Sequence, residues 1–205
     1  MPRGTQAIIG ANVVVFLLQL SMGTSLTAMF ALWPIEPDPA AYFGPGVGFA
    51  PWQLVTYGFL HGGMSHIFFN MFAIYMFGSA LEQFFGTRYY VTLYFVSVVV
   101  AGLTQLGVNA LLGSPYPTLG ASGGVYGLLL AFGMYFPQQR IMLLFPPVAM
   151  PAWLAVTGYA VLELVLGVTG TQQGVAHFAH LGGMVGAFAM IQWRRGKPPF
   201  PRRRR

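Results

Sequence analysis

The sequence predicts an all-α polytopic membrane protein, built as a bundle of six transmembrane helices. Three observations lead to this fold class: the composition, six separate apolar runs and a one-sided distribution of basic residues. Of the 205 residues, 56% are hydrophobic and only 7% are charged, and the mean hydropathy is +0.64, which excludes an ordinary soluble domain. Six spans of about 20 residues with short loops use up the chain. We therefore predict a single domain over 1–193, followed by a basic, Pro-rich cytoplasmic tail at 194–205.

The apolar runs predict the six spans, which we number in chain order. They are Ala7–Met22, Met64–Phe85, Tyr89–Leu112, Ser122–Phe136, Pro151–Gly167 and Gly174–Trp193. The first run also fits a secretory signal peptide, because Arg3 precedes an apolar core and small residues follow between Ser25 and Ala28. We predict a retained span.

The basic residues indicate the topology. They are Arg3, Arg88, Arg140, Arg194, Arg195, Lys197 and Arg202 to Arg205. With both termini in the cytoplasm, every one of them lies on the inner side, as the positive-inside rule requires. The net charge of +6 therefore reports topology and an affinity of the tail for anionic lipid, and we expect no nucleic-acid partner. A bacterial inner membrane or a plasma membrane is the predicted location.

Two connecting segments have unusual compositions. The first outer loop, from about Gly23 to His61, is rich in Trp, Tyr, Phe and Pro, which favours a structured segment at the level of the lipid headgroups. The inner segment from Pro137 to Met150 contains the apolar stretch Ile141–Phe145. That stretch is too short to span, so we expect it to lie at the interface.

A serine at the start of the fourth span is the candidate nucleophile. Ser122 lies within Gly120-Ala121-Ser122-Gly123-Gly124 and follows a segment bearing Pro and Gly, so its N–H is among the unpaired amides of a first helical turn, suited to an oxyanion. The predicted helix rises only about 22 Å, against about 30 Å of hydrocarbon. Its start is therefore expected below the outer surface, facing a water-filled cavity.

Histidine is the usual base for a serine nucleophile. The four histidines, His61, His66, His177 and His180, lie on or just before the outer parts of the second and sixth spans. Small residues at four-residue spacing, such as Gly120 with Gly124 and Gly182 with Gly186, predict close packing of the fourth and sixth helices. This packing would bring Ser122 and His180 together, although the same glycines and serine could serve packing alone.

His66 and Asn70 share one face of the second helix at a spacing of four residues. A buried polar contact between helices would explain this pair, and so would an oxyanion role at the depth of Ser122.

Three classes of protein are alternatives to a membrane hydrolase. Gly120-Ala121-Ser122-Gly123-Gly124 also fits the nucleophile elbow of soluble hydrolases, but that fold requires a strand before the serine, and Pro115-Tyr116-Pro117 precedes it instead. A four-histidine metal site or ion carrier would use His66 and His180, but the acidic relay of a pump is missing apart from Glu163. The third alternative is a catalytically silent membrane binding protein with the same fold.

These motifs together resemble the rhomboid intramembrane serine proteases, in their minimal six-helix bacterial form. The motifs are Gly120-Ala121-Ser122-Gly123, His66-Ile67-Phe68-Phe69-Asn70 and Ala179-His180-Leu181-Gly182-Gly183, in that family's helix placement. The resemblance implies cleavage of transmembrane segments of other membrane proteins by a serine endopeptidase, without cofactor or metal. It covers nearly the whole chain.

The resemblance also implies roles for individual residues. Ser122 is the nucleophile and His180, rather than His177, is the general base, in a dyad with no acidic third member. His66, Asn70 and the Ser122 amide form the oxyanion hole. Tyr126 packs on the catalytic imidazole, Gly120 and Gly123 support the site, and His61 and Glu82 are structural. The substrate gate lies between the second and fifth helices, at Phe68, Phe69, Trp153 and Leu154.

Two positions do not follow the family pattern. Many members have Trp-Arg in the first outer loop, whereas Trp52 is followed by Gln53 here, which puts the anchoring contacts of that loop in doubt. Glu163 is the only carboxylate deep in a span. An intramembrane acid is a functional candidate by default, but the motifs leave it no task, so we expect a neutral or hydrogen-bonded structural role.

Overall fold

The structure is a computed structural model that describes residues 1–142, 147–170 and 175–196. Its long helices are α1 (Arg3–Met22), α7 (Thr87–Leu112), α8 (Ser122–Tyr135), α9 (Ala152–Thr169) and α10 (His177–Arg194). Short helices α2 (Thr24–Phe30), α3 (Ala40–Phe43) and α4 (Gln53–Thr56) lie between α1 and a 3₁₀ turn at Tyr57–Phe59. The second span is one continuous helix made of α5 (Met64–Ala73), a π-helical turn (Ile74–Gly78) and α6 (Ser79–Phe85).

The helices occupy the predicted positions, and the chain is a helical polytopic membrane protein. Four of them, Arg3–Met22, Met64–Phe85, Thr87–Leu112 and Ala152–Thr169, are long and apolar enough to cross a membrane. The fourth predicted span, α8, is shorter, and α10 is less apolar because it contains two histidines and ends at Arg194. The count of six spans therefore remains a prediction.

One element boundary near the site differs from the prediction. The last helix begins at His177, whereas the predicted start, Gly174, lies outside the described residues. His180 therefore sits in the first turn of α10. The segment after α8, which we predicted to lie at the interface, contains a two-stranded antiparallel hairpin of β1 (Arg140–Met142) and β2 (Ala149–Pro151). Of the apolar stretch predicted to lie at the interface, residues 143–145 are outside the described part.

The helix α8 lies at the centre of the bundle. It packs against α7, α9 and α10, and most of its residues are buried. Its 14 residues rise about 21 Å, which is less than the hydrocarbon thickness of about 30 Å. This length is consistent with a first residue below the outer surface, and the depth of Ser122 stays a prediction.

Glycine allows α8 and α10 to approach at the level of their backbones. A Cβ built on Gly183 would collide with the carbonyl of Gly123, and one built on Gly127 would lie 3.1 Å from the carbonyl oxygen of Gly183. The other predicted glycine pairs face elsewhere, since Gly182 and Gly186 meet α7 rather than α8. The expected close packing of the two helices is thus present, through fewer glycines than the sequence indicated.

The first outer loop is structured, as predicted, and Gln53 anchors it. The Gln53 side chain is 2% exposed. Its Oε1 accepts from the N–H groups of Trp33 and Ala50, and its Nε2 donates to the carbonyls of Gly48 and Met29. The departure from Trp-Arg therefore leaves the loop anchored, with an amide making the contacts.

A buried carboxylate connects α1 to the second span. Glu82, on α6, accepts hydrogen bonds from the N–H groups of Gly4 and Thr5 at 2.7 Å, and from the hydroxyls of Thr5 and Thr87. These bonds satisfy the free amides at the start of α1. These contacts agree with the structural role predicted for Glu82.

The end of the bundle where α10 stops carries two of the basic residues. The Arg194 guanidinium lies over the rings of Phe85 and Tyr89, and that of Arg195 lies over Tyr135. Arg194 is the last residue of α10, so the domain extends slightly beyond residue 193. Residues 197–205 of the predicted tail lie outside the described part.

Candidate active site

Ser122 is the first residue of α8, and the turn before it requires glycine. Gly120 has a φ of +132°, a region that residues with a side chain rarely adopt. A Cβ there would also lie 2.8 Å from Cε1 of His66. The bend therefore lets the His66 imidazole lie against the backbone that leads into Ser122, whose own N–H has no partner within the helix.

The hydroxyl of Ser122 meets the imidazole of His180. The Oγ and Nε2 atoms are 2.8 Å apart, a normal hydrogen-bond distance. The hydroxyl can donate to Nε2 when the imidazole carries its proton on Nδ1. His180 is 8% exposed, while Ser122 is half-buried and faces the cavity. The two residues are 58 positions apart in the chain, and the close approach of Gly123 and Gly183 brings them together.

Tyr126 covers one face of the His180 ring. The ring centroids are 4.3 Å apart and the planes differ by 6°, so the two rings are stacked. Tyr126 lies one turn after Ser122 on α8, which points both side chains to the same side of the helix. The stack restrains rotation of the imidazole about its Cβ–Cγ bond.

A carboxylate lies behind the imidazole of the pair that we predicted to act as a dyad. Glu163 on α9 is 5% exposed. Its Oε2 lies 3.0 Å from Nδ1 of His180, an ion-pair distance, although the contact does not meet hydrogen-bond geometry. The same oxygen accepts a hydrogen bond from Nδ1 of His177 at 2.6 Å, and Oε1 accepts one from the Tyr126 hydroxyl. Glu163 is hydrogen-bonded, as expected, but it also touches the candidate base.

His66 and Asn70 lie on the opposite wall of the site. The Nδ1 atom of His66 accepts from the N–H of Gly62 at 3.3 Å, which leaves the ring's other nitrogen to donate. A Cβ built on Gly120 would lie 2.9 Å from Nε2 of His66 and 3.7 Å from Oγ of Ser122. The His66 Nε2 and Ser122 Oγ atoms therefore border the same small space. Asn70 donates to the His66 carbonyl at 2.9 Å and keeps a second N–H free to donate.

His61 supports His66 from behind. Its ring packs edge-to-face on His66 with centroids 5.1 Å apart, and its backbone N–H donates to Oε1 of Gln19. Burial lowers the pKa of His61 to about 4, with a smaller effect from the neighbouring His66. The His61 imidazole is therefore neutral at neutral pH, in keeping with a structural role.

A cavity of about 880 Å³ joins these groups. Its lining includes the predicted site residues Ser122, His180, His66, Asn70 and Tyr126. A volume of this size exceeds what one side chain fills and falls in the range of ligand sites. The lining is more apolar than polar, and its polar groups include the Ser122 hydroxyl and the His180 imidazole.

The predicted gate residues are exposed, and one of them reaches the cavity. Phe68 and Phe69 on α5, and Trp153 and Leu154 on α9, are between 43% and 60% exposed. Phe69 lines the cavity, whereas the other three face outward. Exposed aromatic side chains on two helices are compatible with a lateral opening, but they do not define one.

One group of side chains could in principle bind a metal ion. Glu163, His177 and His180 offer ligand atoms within 4.8 Å of one another. This group differs from the four-histidine metal site that the sequence offered as an alternative, since it does not contain His61 or His66. The shortest separation, 2.6 Å, is that of a hydrogen bond, whereas tetrahedral zinc ligands at about 2.0–2.1 Å from the ion lie about 3.3 Å apart.

The fold and this site define a class of protein: a helical polytopic membrane protein with a serine–histidine pair facing an internal cavity. Comparison with known sequences identifies the family. A family model for the rhomboid domain matches residues 49–195. Rhomboid protease GluP of Bacillus subtilis is 26% identical over 188 residues, which cover 91% of this chain and 34% of GluP.

Two further relatives agree. Rhomboid protease GlpG of Klebsiella pneumoniae is 26% identical over 196 residues, covering 91% of this chain and 61% of GlpG. The mitochondrial Rhomboid protein 1 of Saccharomyces cerevisiae is 33% identical over 105 residues, covering 50% of this chain and 30% of the yeast protein. The chain belongs to the rhomboid family. It spans between about a third and three fifths of the length of these relatives.

Sequence reasoning missed the position of Glu163 relative to the imidazole. Glu163 is 17 residues before His180 and 41 after Ser122, on a different helix from either, and no local motif links the three. The available signal was physical: a carboxylate inside a span needs a partner, and the nearest polar side chains of comparable depth were the histidines of the next span.

Proposed function

We propose that this chain is an intramembrane serine endopeptidase that hydrolyses peptide bonds in or near the transmembrane segments of other membrane proteins. The observation behind this proposal is the 2.8 Å contact between Ser122 Oγ and His180 Nε2 at the wall of a cavity inside a helical bundle. Family membership supports the proposal, because the relatives GluP and GlpG are named rhomboid proteases. Nothing in this chemistry requires a cofactor.

The chemistry proceeds in two halves. In the first, His180 Nε2 takes the proton of Ser122 as Oγ bonds to the scissile carbonyl carbon. The tetrahedral intermediate collapses when the carbon–nitrogen bond breaks and Nε2 returns the proton to the leaving amine. In the second half, water gives a proton to Nε2 and attacks the acyl-enzyme, which releases a carboxylate and restores Ser122.

The negative charge that develops on the carbonyl oxygen needs donors that are already in place. The Ser122 N–H lies at the start of a helix, where the helix dipole favours negative charge. The Nε2–H of His66 and the free N–H of Asn70 border the same end of the cavity. We assign these three groups to the oxyanion hole.

Substrate and water reach the site from different directions. A transmembrane substrate enters from the bilayer between α5 and α9, past Phe68, Phe69, Trp153 and Leu154. Water enters from the outer side, with both termini in the cytoplasm. The bond to be cut has to be presented in an extended form, so we expect small or helix-breaking residues near the cleavage site in substrates.

Cleavage of a model transmembrane substrate by the purified protein tests the proposal. We expect Ser122→Ala and His180→Ala to abolish cleavage, and His66→Ala or Asn70→Ala to reduce kcat by roughly 10- to 1,000-fold, near the effect of one oxyanion donor. Ser65→Ala is the matched control, because Ser65 lines the same cavity without a role in the reaction. A folded, monodisperse wild type that cleaves no transmembrane substrate would instead favour the catalytically silent binding protein.

A further inference from the structure

The catalytic imidazole has a buried neighbour that the dyad mechanism does not use. Glu163 comes from α9 and contacts His180 on the side of the ring opposite Ser122, with Oε2 3.0 Å from Nδ1. Ser122 and Glu163 thus approach the two nitrogens of one imidazole. The order of nucleophile, base and acid is that of serine hydrolase triads, in which the acid accepts a hydrogen bond from Nδ1; here the carboxylate lies at ion-pair distance from Nδ1.

We propose that Glu163 is a positioning residue for His180, and that the site works as a Ser122–His180–Glu163 triad. This role rests on the proposed protease activity and adds a third member to its machinery. Glu163 would act on the substrate only through the imidazole, by fixing the Nδ1–H tautomer and by opposing the charge that the ring gains during the reaction.

The tautomer follows from the contacts of the ring. Nε2 can take a proton from Ser122 only while the ring's own proton is on Nδ1. A carboxylate oxygen accepts hydrogen bonds and does not donate them, so Oε2 at 3.0 Å favours Nδ1–H over a bare Nδ1. Without that oxygen, the ring could place its proton on Nε2, and Ser122 would face a donor instead of a base.

The charge of Glu163 supports the imidazolium. When His180 takes the proton, a positive charge develops on a ring that is 8% exposed, where water stabilises it poorly. In the described ranges, the ion-pair partners of Glu163 are His177 and His180. No Lys or Arg in those ranges pairs with the carboxylate, so its charge remains available to the imidazole.

Other donors hold the carboxylate in position. His177 donates to Oε2 from Nδ1, and Tyr126 donates to Oε1. Because the Tyr126 ring also stacks on His180, one residue fixes both the plane of the imidazole and the acid behind it. A buried carboxylate is tolerated only with such partners, and here the partners are those that align it with the base.

Glu163→Gln keeps the size of the side chain and removes its charge. We expect kcat for a transmembrane substrate to fall by roughly 10²-fold or more, towards the roughly 10⁴-fold loss that follows replacement of the acid in a serine triad. KM should stay within about twofold, since Glu163 does not touch substrate. Glu163→Asp keeps the charge, but its side chain is one methylene shorter. Its kcat should fall by about tenfold or more relative to wild type, which is a smaller loss than that of Glu163→Gln.

Glu82→Gln is the matched control, because Glu82 is the other buried carboxylate of the described helices, with 3% exposure. We expect it to lower the unfolding temperature through loss of the α1 contacts, with kcat per folded molecule unchanged. A kcat for Glu163→Gln within about threefold of wild type would overturn the triad. If Glu163→Gln cannot be recovered folded, a wild-type kcat for Glu163→Asp would overturn it equally.

Two further outcomes separate this inference from its alternatives. A wild type that does not cleave would remove the proposed protease function itself, whereas a cleaving wild type with a fully active Glu163→Gln removes only the triad. Activity should survive an excess of EDTA. Loss of activity on chelation, with recovery on adding zinc, would identify the cluster of Glu163, His177 and His180 as a metal site and overturn the positioning role.

Discussion

The contact between α8 and α10 can be tested by adding one methyl group. In Gly183→Ala, the new Cβ would lie 2.8 Å from the carbonyl carbon of Gly123 and 3.1 Å from its Cα. Ordinary carbon–carbon contacts are about 3.5–4.0 Å. The backbone of Gly123 cannot rotate away as a side chain can, so the two helices have to separate by roughly 1 Å.

That displacement acts directly on the site. Adding roughly 1 Å to the 2.8 Å between Ser122 Oγ and His180 Nε2 takes the pair beyond hydrogen-bond reach. A misplacement of about 1 Å at a reacting centre costs about 100-fold in rate, and overpacking costs about 1–3 kcal/mol of stability. We therefore expect Gly183→Ala to lower kcat about 100-fold while leaving a protein that folds.

The assay is cleavage of a transmembrane substrate in detergent, with thermal unfolding measured on the same samples. Gly158→Ala is the matched control, because Gly158 lies on a neighbouring helix and a Cβ there would meet nothing within 4 Å. It should leave kcat unchanged and raise stability by up to about 1 kcal/mol, the helix-propensity difference between Gly and Ala. A Gly183→Ala protein with wild-type kcat would refute the reasoning that backbone contact sets the Ser122–His180 distance.

Three other predictions concern the loop, the pH response and the gate. Gln53→Leu leaves the N–H groups and carbonyls at both ends of the amide without partners, so it should destabilise the protein by about 2–4 kcal/mol in denaturant or thermal unfolding, with kcat per folded molecule unchanged. The pKa of His61 in the folded protein is about 4, below its ordinary value of 6.5. Burial of the neutral imidazole therefore contributes fully to the free energy of unfolding above pH 6.5. This contribution declines as the pH falls towards 4, and about 2 kcal/mol of it is lost at pH 5. His61→Gln should remove that part of the acid destabilisation, and an unchanged pH slope would count against a buried neutral His61. Trp153→Ala should raise cleavage of a transmembrane substrate roughly two- to tenfold if lateral opening limits the rate, while a small soluble ester shows no gain; equal effects on both substrates would exclude a gate at this position.

Much of the site's location could be predicted from the sequence, because its members are marked by local patterns. Ser122 opens an apolar helix that is too short to span, and His66 and His180 lie near the N-terminal ends of helices predicted to run in the same direction. Depth in a membrane follows from position along a helix. Two residues far apart in the chain could therefore be assigned to one level of the bundle before any contact was known.

The remaining features depend on how the helices are rotated and which contacts they make, and periodicity alone does not give these. The apolar faces of α9 are nearly uniform, so periodicity does not show which side of the helix Glu163 occupies, and only its need for a polar partner pointed towards the histidines of α10. The glycines of α10 divide between two neighbours, with Gly183 on α8 and Gly186 on α7. Gln53 replaces an expected arginine, and its four contacts are to backbone groups that any sequence provides.

The most direct test of the central claim is covalent labelling of the serine. A fluorophosphonate should label wild-type protein at Ser122 and at no other serine, as located by peptide mass spectrometry, and both Ser122→Ala and His180→Ala should abolish labelling while the protein stays folded. Labelling that persists in His180→Ala, or that falls on Ser65, would contradict an imidazole-activated Ser122.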